Sequence, residues 1–216
     1  TMSPKPGMAQ SSYSRLLAIQ TSIDVENFIR DDLMQIAARA IDLAGINGAG
    51  TTEPLGVMNQ SGVGTLVYGT NGAVPTWANA VQYETTQATN NADFGRLAFL
   101  TTPGMRGKLK TTLKSTVAGA DWIWSASQEI NGYPAFATNQ VPANLTKGTS
   151  TTVAHGIIFG NWQELLIGEW GGALDMLVDP YTAANQNMIK LYAYANVDVA
   201  VRHPLSFVVS KDALIA

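Results

Sequence analysis

The chain has 216 residues, enough for one compact domain or two intimately joined subdomains. It is 46% hydrophobic and only 13% charged, about half the usual charged share for a soluble domain, which suits a surface that neighbours cover. With no cysteine it has no disulfides, thiolate metal sites or Cys nucleophiles, and a net charge of −3 argues against tight, direct nucleic-acid binding.

No apolar run reaches the ~20 residues that span a bilayer. Residues 1–10 read as an extended or flexible lead broken by Pro4, Pro6 and Gly7, without the apolar centre of a signal peptide. A chain that starts at Thr1 is expected to be a piece of a longer product. Leu16, Leu17 and Ile19 suggest a short strand within 11–20.

An amphipathic helix is predicted over 23–44, roughly 33 Å long at 1.5 Å per residue. Thr21 and Ser22 are its candidate N-caps, and Asp24 and Glu26 suit its first turn. Val25, Ile29, Leu33, Ile36, Ala40 and Leu43 form the predicted apolar face. Glu26 and Arg30 are spaced for an i,i+4 pair, and Gly45 is the predicted stop. The stretch 45–75 reads as loops with a short hairpin.

Residues 76–89 are predicted helical with Trp77 and Val81 inward, and Leu97–Leu100 a buried strand. Thr102 followed by Pro103 starts a helix with Met105, Leu109 and Leu113 as its stripe. Arg106, Lys108, Lys110 and Lys114 read as its solvated face. A tight turn at 130–134 leads into a strand through Phe136, and 142–152 is a polar loop. Strands follow at Gly156–Phe159, Leu165–Ile167 and Met176–Val178. From Ile189 to Val201 apolar residues occupy every second position for thirteen residues, a half-buried strand of about 43 Å. Phe207–Val209 adds a short last strand after Pro204.

The sequence carries few motifs with a chemical reading. Gly45–Gly50 follows a helix, whereas a dinucleotide loop lies between a strand and a helix, so it reads as a cap and turn. His155 and His203 lack a second His or carboxylate at ligand spacing and read as structural. Glu129, Glu164, Glu169, Asp175, Asp179 and Asp198 form no acid–base pair in a motif context. Trp122, Trp124, Trp162 and Trp170 suit core or interface packing more than a sugar groove. No catalytic, cofactor-binding or metal-ligating residue is assigned.

One block carries a resemblance. It runs S-R-L-L-A-I-Q-T-S-I-D-V-E-N-F-I-R-D-D-L from Ser14, then A-A-R-A-I-D-L-A-G-I-N-G-A-G, then E-P-L-G-V. Gly132-Tyr133-Pro134, Gly160-Asn161-Trp162 and the closing V-D-V-A-V-R-H-P-L-S-F follow in order. This set resembles the Hong Kong 97-type major capsid family of tailed phages and prophages. The resemblance implies an α+β fold: a peripheral domain from 1–57 and 184–216, and an inserted axial domain over 58–183. It implies a structural protein, not an enzyme, that self-assembles through pentamers and hexamers into an icosahedral, DNA-enclosing shell. Scaffold, maturation protease and portal proteins would be partners, with no membrane and no sequence-specific nucleic-acid binding. The location would be the virion capsid, and the bacterial host cytoplasm during assembly. The family's N-terminal arm and most of its E-loop have no counterpart before residue 10. The family's crosslinking Asn falls at Asn187 and its buried Glu at Tyr194, so no covalent crosslink is expected. The alternatives are an encapsulin-like cellular shell and a ligand- or carbohydrate-binding domain.

Overall fold

The computed structural model describes residues 2–21, 24–117, 119–172 and 174–216. In chain order the elements are β1 (Lys5–Ser14), α1 (Arg15–Gln20), α2 (Val25–Asn47), β2 (Gly64–Thr65), α3 (Trp77–Thr89), β3 (Leu97–Thr101), α4 (Pro103–Thr111), β4 (Glu129–Ile130), β5 (Tyr133–Ala137), β6 (Leu145–Lys147), β7 (Ser150–Asn161), β8 (Leu165–Glu169), β9 (Asp175–Asp179), β10 (Met188–Val201) and β11 (Phe207–Ala213). They form two compact units, Thr1–Gly56 with Ile167–Ala200 and Val57–Leu166 with Val201–Ala216.

The first unit is built on β10, whose predicted alternation holds. Leu191, Ala193, Ala195, Val197 and Val199 are buried, and Tyr192, Tyr194 and Asn196 are not. Asp198, expected on the polar face, is buried too, where it accepts the Ser3 and Val199 N–H groups. β1 runs antiparallel along β10 from Lys5↔Val197 to Ser14↔Met188, and β9 and β8 pair on β10 as well. The expected loose lead is therefore a strand for most of its length, because β10 offers a complete hydrogen-bonding edge. The strand expected around Leu16 is instead the short helix α1. Ser14 caps it by accepting the Leu16 N–H, at 3.2 Å.

α2 begins at Asp24, which accepts the Asn27 N–H at 3.2 Å. Thr21 ends α1 instead, and Ser22 lies outside the described residues. The Glu26–Arg30 pair forms at 2.6 Å, and the Tyr13 hydroxyl also donates to Glu26. The inward row is Val25, Ile29, Leu33, Ala37, Ile41 and Ala44, so Ile36 and Leu43 face outward, against expectation. Each i,i+4 step turns the inward row by about 40°, away from Ile36 and Leu43, and the small Ala37 and Ala44 let it lie close to the alanines of β10. The helix also passes through Gly45 and stops at Gly48, whose N–H bonds Ala44 O. Gly48 is the position where backbone closes in: a Cβ there would lie 2.1 Å from Pro54 O.

The second unit centres on a seven-stranded sheet in the order β2-β11-β7-β3-β5-β4, with β6 paired to β7. Of the hairpin expected in 45–75, the antiparallel bridge Ala49–Leu55 forms, while β2 pairs in parallel with β11. Half of the expected polar loop 142–152 is the β6–β7 hairpin, turning at Gly148 with φ 55°. α3 carries a capping box between Thr76 and Asn79 and buries Ala80, Tyr83 and Gln87, not Val81. α4 starts at Thr102 and Pro103 as predicted and buries Met105 and Leu109. Leu113 lies beyond its end and is exposed. The turn at Asn131-Gly132 has two positive φ values, 54° and 80°, the signature of a two-residue hairpin loop. Phe99, Phe159, Tyr83 and Tyr133 meet at the core, the closest ring pair being Phe99–Phe159 at 4.3 Å.

The unit boundaries differ from the expected partition of 1–57, 58–183 and 184–216. Residues 201–216 sit in the second unit because Phe207, Val208 and Val209 are buried in its sheet, antiparallel to β7. Residues 167–183 sit in the first unit because Met176 and Val178 pair across Ala193 and Leu191.

Candidate functional site

The chemistry-bearing residues are dispersed. The buried carboxylates Glu164 and Asp198 are internally satisfied, while the buried Gln87 Oε1 and Trp124 Nε1 have no hydrogen-bond partner among the described residues. Glu164 is buried and takes a two-pronged ion pair from Arg202 at 2.8 and 3.0 Å, with His203 Nε2 at 3.9 Å. The same two residues share a backbone bond, Arg202 N–H to Glu164 O. Glu129 accepts from Ser127 Oγ, and Asp179 caps a turn by accepting the Tyr181 and Thr182 N–H groups. Asp198 accepts the Ser3 and Val199 N–H groups. Among the described residues no group of three His, Asp or Glu is placed to hold a metal ion. Among these residues no helix is long and apolar enough to cross a membrane.

His155 is buried on β7, its Nδ1 2.8 Å from Thr102 Oγ1. That oxygen also accepts the Met105 N–H at the start of α4, and the imidazole tautomer sets which group donates in the Thr102–His155 bond. Burial pushes the imidazole below its ordinary range. Protonation would also set a cation against the positive end of α4. Because the unfolded chain takes up this proton more readily, the contribution of His155 to stability is complete above about pH 6.5 and is lost as pH falls through the lower folded value. Urea denaturation is expected to show stability falling as the pH drops below about 6.5, and His155→Gln is expected to flatten that decline.

The tryptophans do not converge on one groove. Trp124 is in the core, Trp77 lies under the Lys114 ammonium at 4.8 Å, and Trp170 belongs to the first unit. Trp162 donates to Ala98 O and stacks edge-on against Phe207. It alone of the five borders an apolar concavity of about 610 Å³ with Leu97, Leu100, Pro134 and Phe136. The glycines of 45–50 serve the end of α2. Asn187 takes a left-handed turn conformation, φ 56°, and its carbonyl accepts the Arg15 N–H. Tyr194 lies seven residues further along, roughly 23 Å up an extended chain, so the two do not meet within one copy. It stacks on Tyr192 at 6.2 Å.

What the molecule does offer is exposed apolar surface. In the first unit Ile19, Phe28 and Met8 are 80%, 69% and 62% exposed, with Leu177 on the outer sheet face. A groove of about 270 Å³ runs between β1 and α2 over Ala37, Ala40, Ala193 and Ala195. β1 ends its sheet, so its far backbone edge is unpaired among the described residues. Such surfaces mark contacts with other protein. Sequence reasoning turned Ile36 and Leu43 inward and so missed part of this surface; the small residues Ala37, Ala40 and Ala44 on α2 are the signal for it.

These features match known proteins. Residues 1–212 fit the profile of the phage capsid family. The chain is 31% identical over 214 residues to the major capsid protein of Halomonas phage phiHAP-1, covering 99% of this chain and 33% of that protein. It thus spans about a third of the length of that curated relative. Among solved structures it resembles the capsid of an empty GTA particle, with TM-score 0.77, 20% identity, and 98% and 74% of the two chains covered. It also resembles the capsid of Myoviridae phage XM1, with TM-score 0.68, 12% identity, and 97% and 73% covered. The holo-SrpI encapsulin complex of Synechococcus elongatus is similar at TM-score 0.67, 13% identity, and 99% and 75% covered. The fold is that of the Hong Kong 97-type capsid proteins. With the family profile satisfied across residues 1–212, the chain belongs to the phage capsid family.

Proposed function

We propose that this chain is the shell-forming part of a major capsid protein of a tailed phage or prophage. Copies associate into pentamers and hexamers and close an icosahedral shell around DNA. The observation that carries this is the family match along residues 1–212 on a fold shared with capsids. The first unit would be the peripheral domain, and the second the axial domain around the capsomer axis. Repetition suits the weak-contact design: each contact need be only modest when a closed shell multiplies it. The role is structural and not enzymatic. Scaffold, maturation protease and portal proteins would be its partners, in the host cytoplasm during assembly and in the virion capsid afterwards. An encapsulin-type shell has the same fold, but the 31% identity to a phage major capsid protein favours the phage reading.

The test is negative-stain electron microscopy of the full-length gene product expressed with a neighbouring maturation protease gene. Uniform closed particles are expected; a monomer under all conditions overturns the reading. Particles are expected to hold without covalent links, because a phenol at Tyr194 is a poor proton acceptor near neutral pH. Heated, detergent-denatured particles should run as single subunits; a ladder of covalent multimers contradicts this.

A further inference from the structure

The two units divide the charge unequally. The first holds ten Asp and Glu against five Lys and Arg; the second holds six against eight. The basic excess includes Arg106, Lys108 and Lys110 of α4, none of which has an ion-pair partner among the described residues. At 100° per residue, Arg106 and Lys110 flank one side of the exposed face of α4 and Lys108 the other.

Between them lies Gly107, exposed, with nothing within 4 Å of where a Cβ would stand. A glycine inside a helix weakens it relative to alanine. Its neighbour Gly104 has a reason in this fold, since a Cβ there would crowd the His155 ring at 3.2 Å. Gly107 has no such reason. It leaves a low centre between raised cationic flanks, the relief that lets another backbone approach closely.

The complementary surface is on α2. Asp31 and Asp42 lie three turns apart on nearly the same line of the helix, and Asp32 is exposed beside them. Arg39 shares this side, so the face is acidic by three to one. Glu26 and Asp24 are spent within the helix, on Arg30 and on the cap. Exposed Phe28 and Leu43 border the acidic line and would be covered by a partner.

We infer that the Gly107 face of α4 docks on the acidic outer face of α2 of a second copy of this chain. The inference rests on the shell reading and deepens it: it names two surfaces that meet and makes their encounter salt-dependent. A head-to-tail contact of this kind generates rings when its rotation closes. Nucleic acid is the competing occupant of a basic helix face, and it is the less favoured one because the chain as a whole is acidic and supplies its own complementary surface.

The experiment uses the full-length protein, with particles co-assembled from two isotopically distinct pools. A zero-length carbodiimide reagent joins touching lysines and carboxylates, and mass spectrometry then locates the links. Links between Lys108 or Lys110 of one pool and Asp31, Asp32 or Asp42 of the other are expected. Links from these lysines only to other acids, or none, overturn the inference. Charge reversal gives a second arm. Lys108→Glu with Lys110→Glu, and separately Asp31→Lys with Asp32→Lys, should each cut particle yield about tenfold, and all four together should restore most of it. Gly107→Leu should leave the thermal midpoint of the soluble subunit unchanged or higher while blocking assembly. Wild-type yield from every reversal, or loss of DNA retention with assembly intact, overturns the contact. A wild-type chain that forms no particle at all sinks the shell reading itself, and the contact with it.

Discussion

Phe159→Ala is expected to destabilise the second unit by about 3–5 kcal/mol. The ring is fully buried on β7 and touches Phe99, Tyr133 and Tyr83 at centroid distances of 4.3, 5.2 and 6.3 Å. β3 and β11 flank it in register, Phe99 and Val208 standing directly across from it. Strands locked on both sides cannot move in to fill the vacated volume, so the cavity cost adds to the lost transfer energy. Chemical denaturation followed by circular dichroism measures this as a lower midpoint. A change under about 1 kcal/mol would mean that the core collapses around the hole. Phe159→Leu, which keeps most of the volume, should lose clearly less.

Gly56→Ala is expected to cost about 3 kcal/mol in the first unit, the upper end for overpacking. The added Cβ would lie 2.5 Å from the backbone nitrogens of Asn47 and Gly48 and 2.6 Å from the Ile46 carbonyl carbon. All three are main-chain atoms at the end of α2, and Gly56 itself donates its N–H to Gly48 O. The methyl therefore cannot be accommodated by a rotamer change; either the helix end or the returning loop must shift. Gly107→Ala is the control, because the space beside that glycine is open. It should be neutral or stabilise by up to ~1 kcal/mol in the unassembled subunit. Equal losses at both positions would remove the steric explanation.

The strongest elements were legible because their causes are local. β10 alternates apolar and polar residues for thirteen positions, and the pleat alone places these on opposite faces. Thr102-Pro103, Asn131-Gly132 and the Glu26–Arg30 spacing each act within a turn of chain, and each appears as read. The family resemblance was legible for a related reason, since the block from Ser14 to Val57 is continuous along the chain.

Other features depend on distant partners. β1 is a strand because β10, nearly two hundred residues away, supplies the ladder for ten residues, and no local propensity encodes that pairing. The last strand belongs to the second unit because β7 and β2 take it on either side. The apolar residues of α2 were visible, but which of them turn inward was not. Ile36 and Leu43 lie within one helical turn of the buried row, and only the alanine floor of β10 selects the row that can approach it. Sequence by itself thus determined the periodic elements, the start of α4 and the family. Tertiary structure decided strand partners, unit boundaries and which apolar groups stay on the surface, because those depend on surfaces that exist only once distant segments have met.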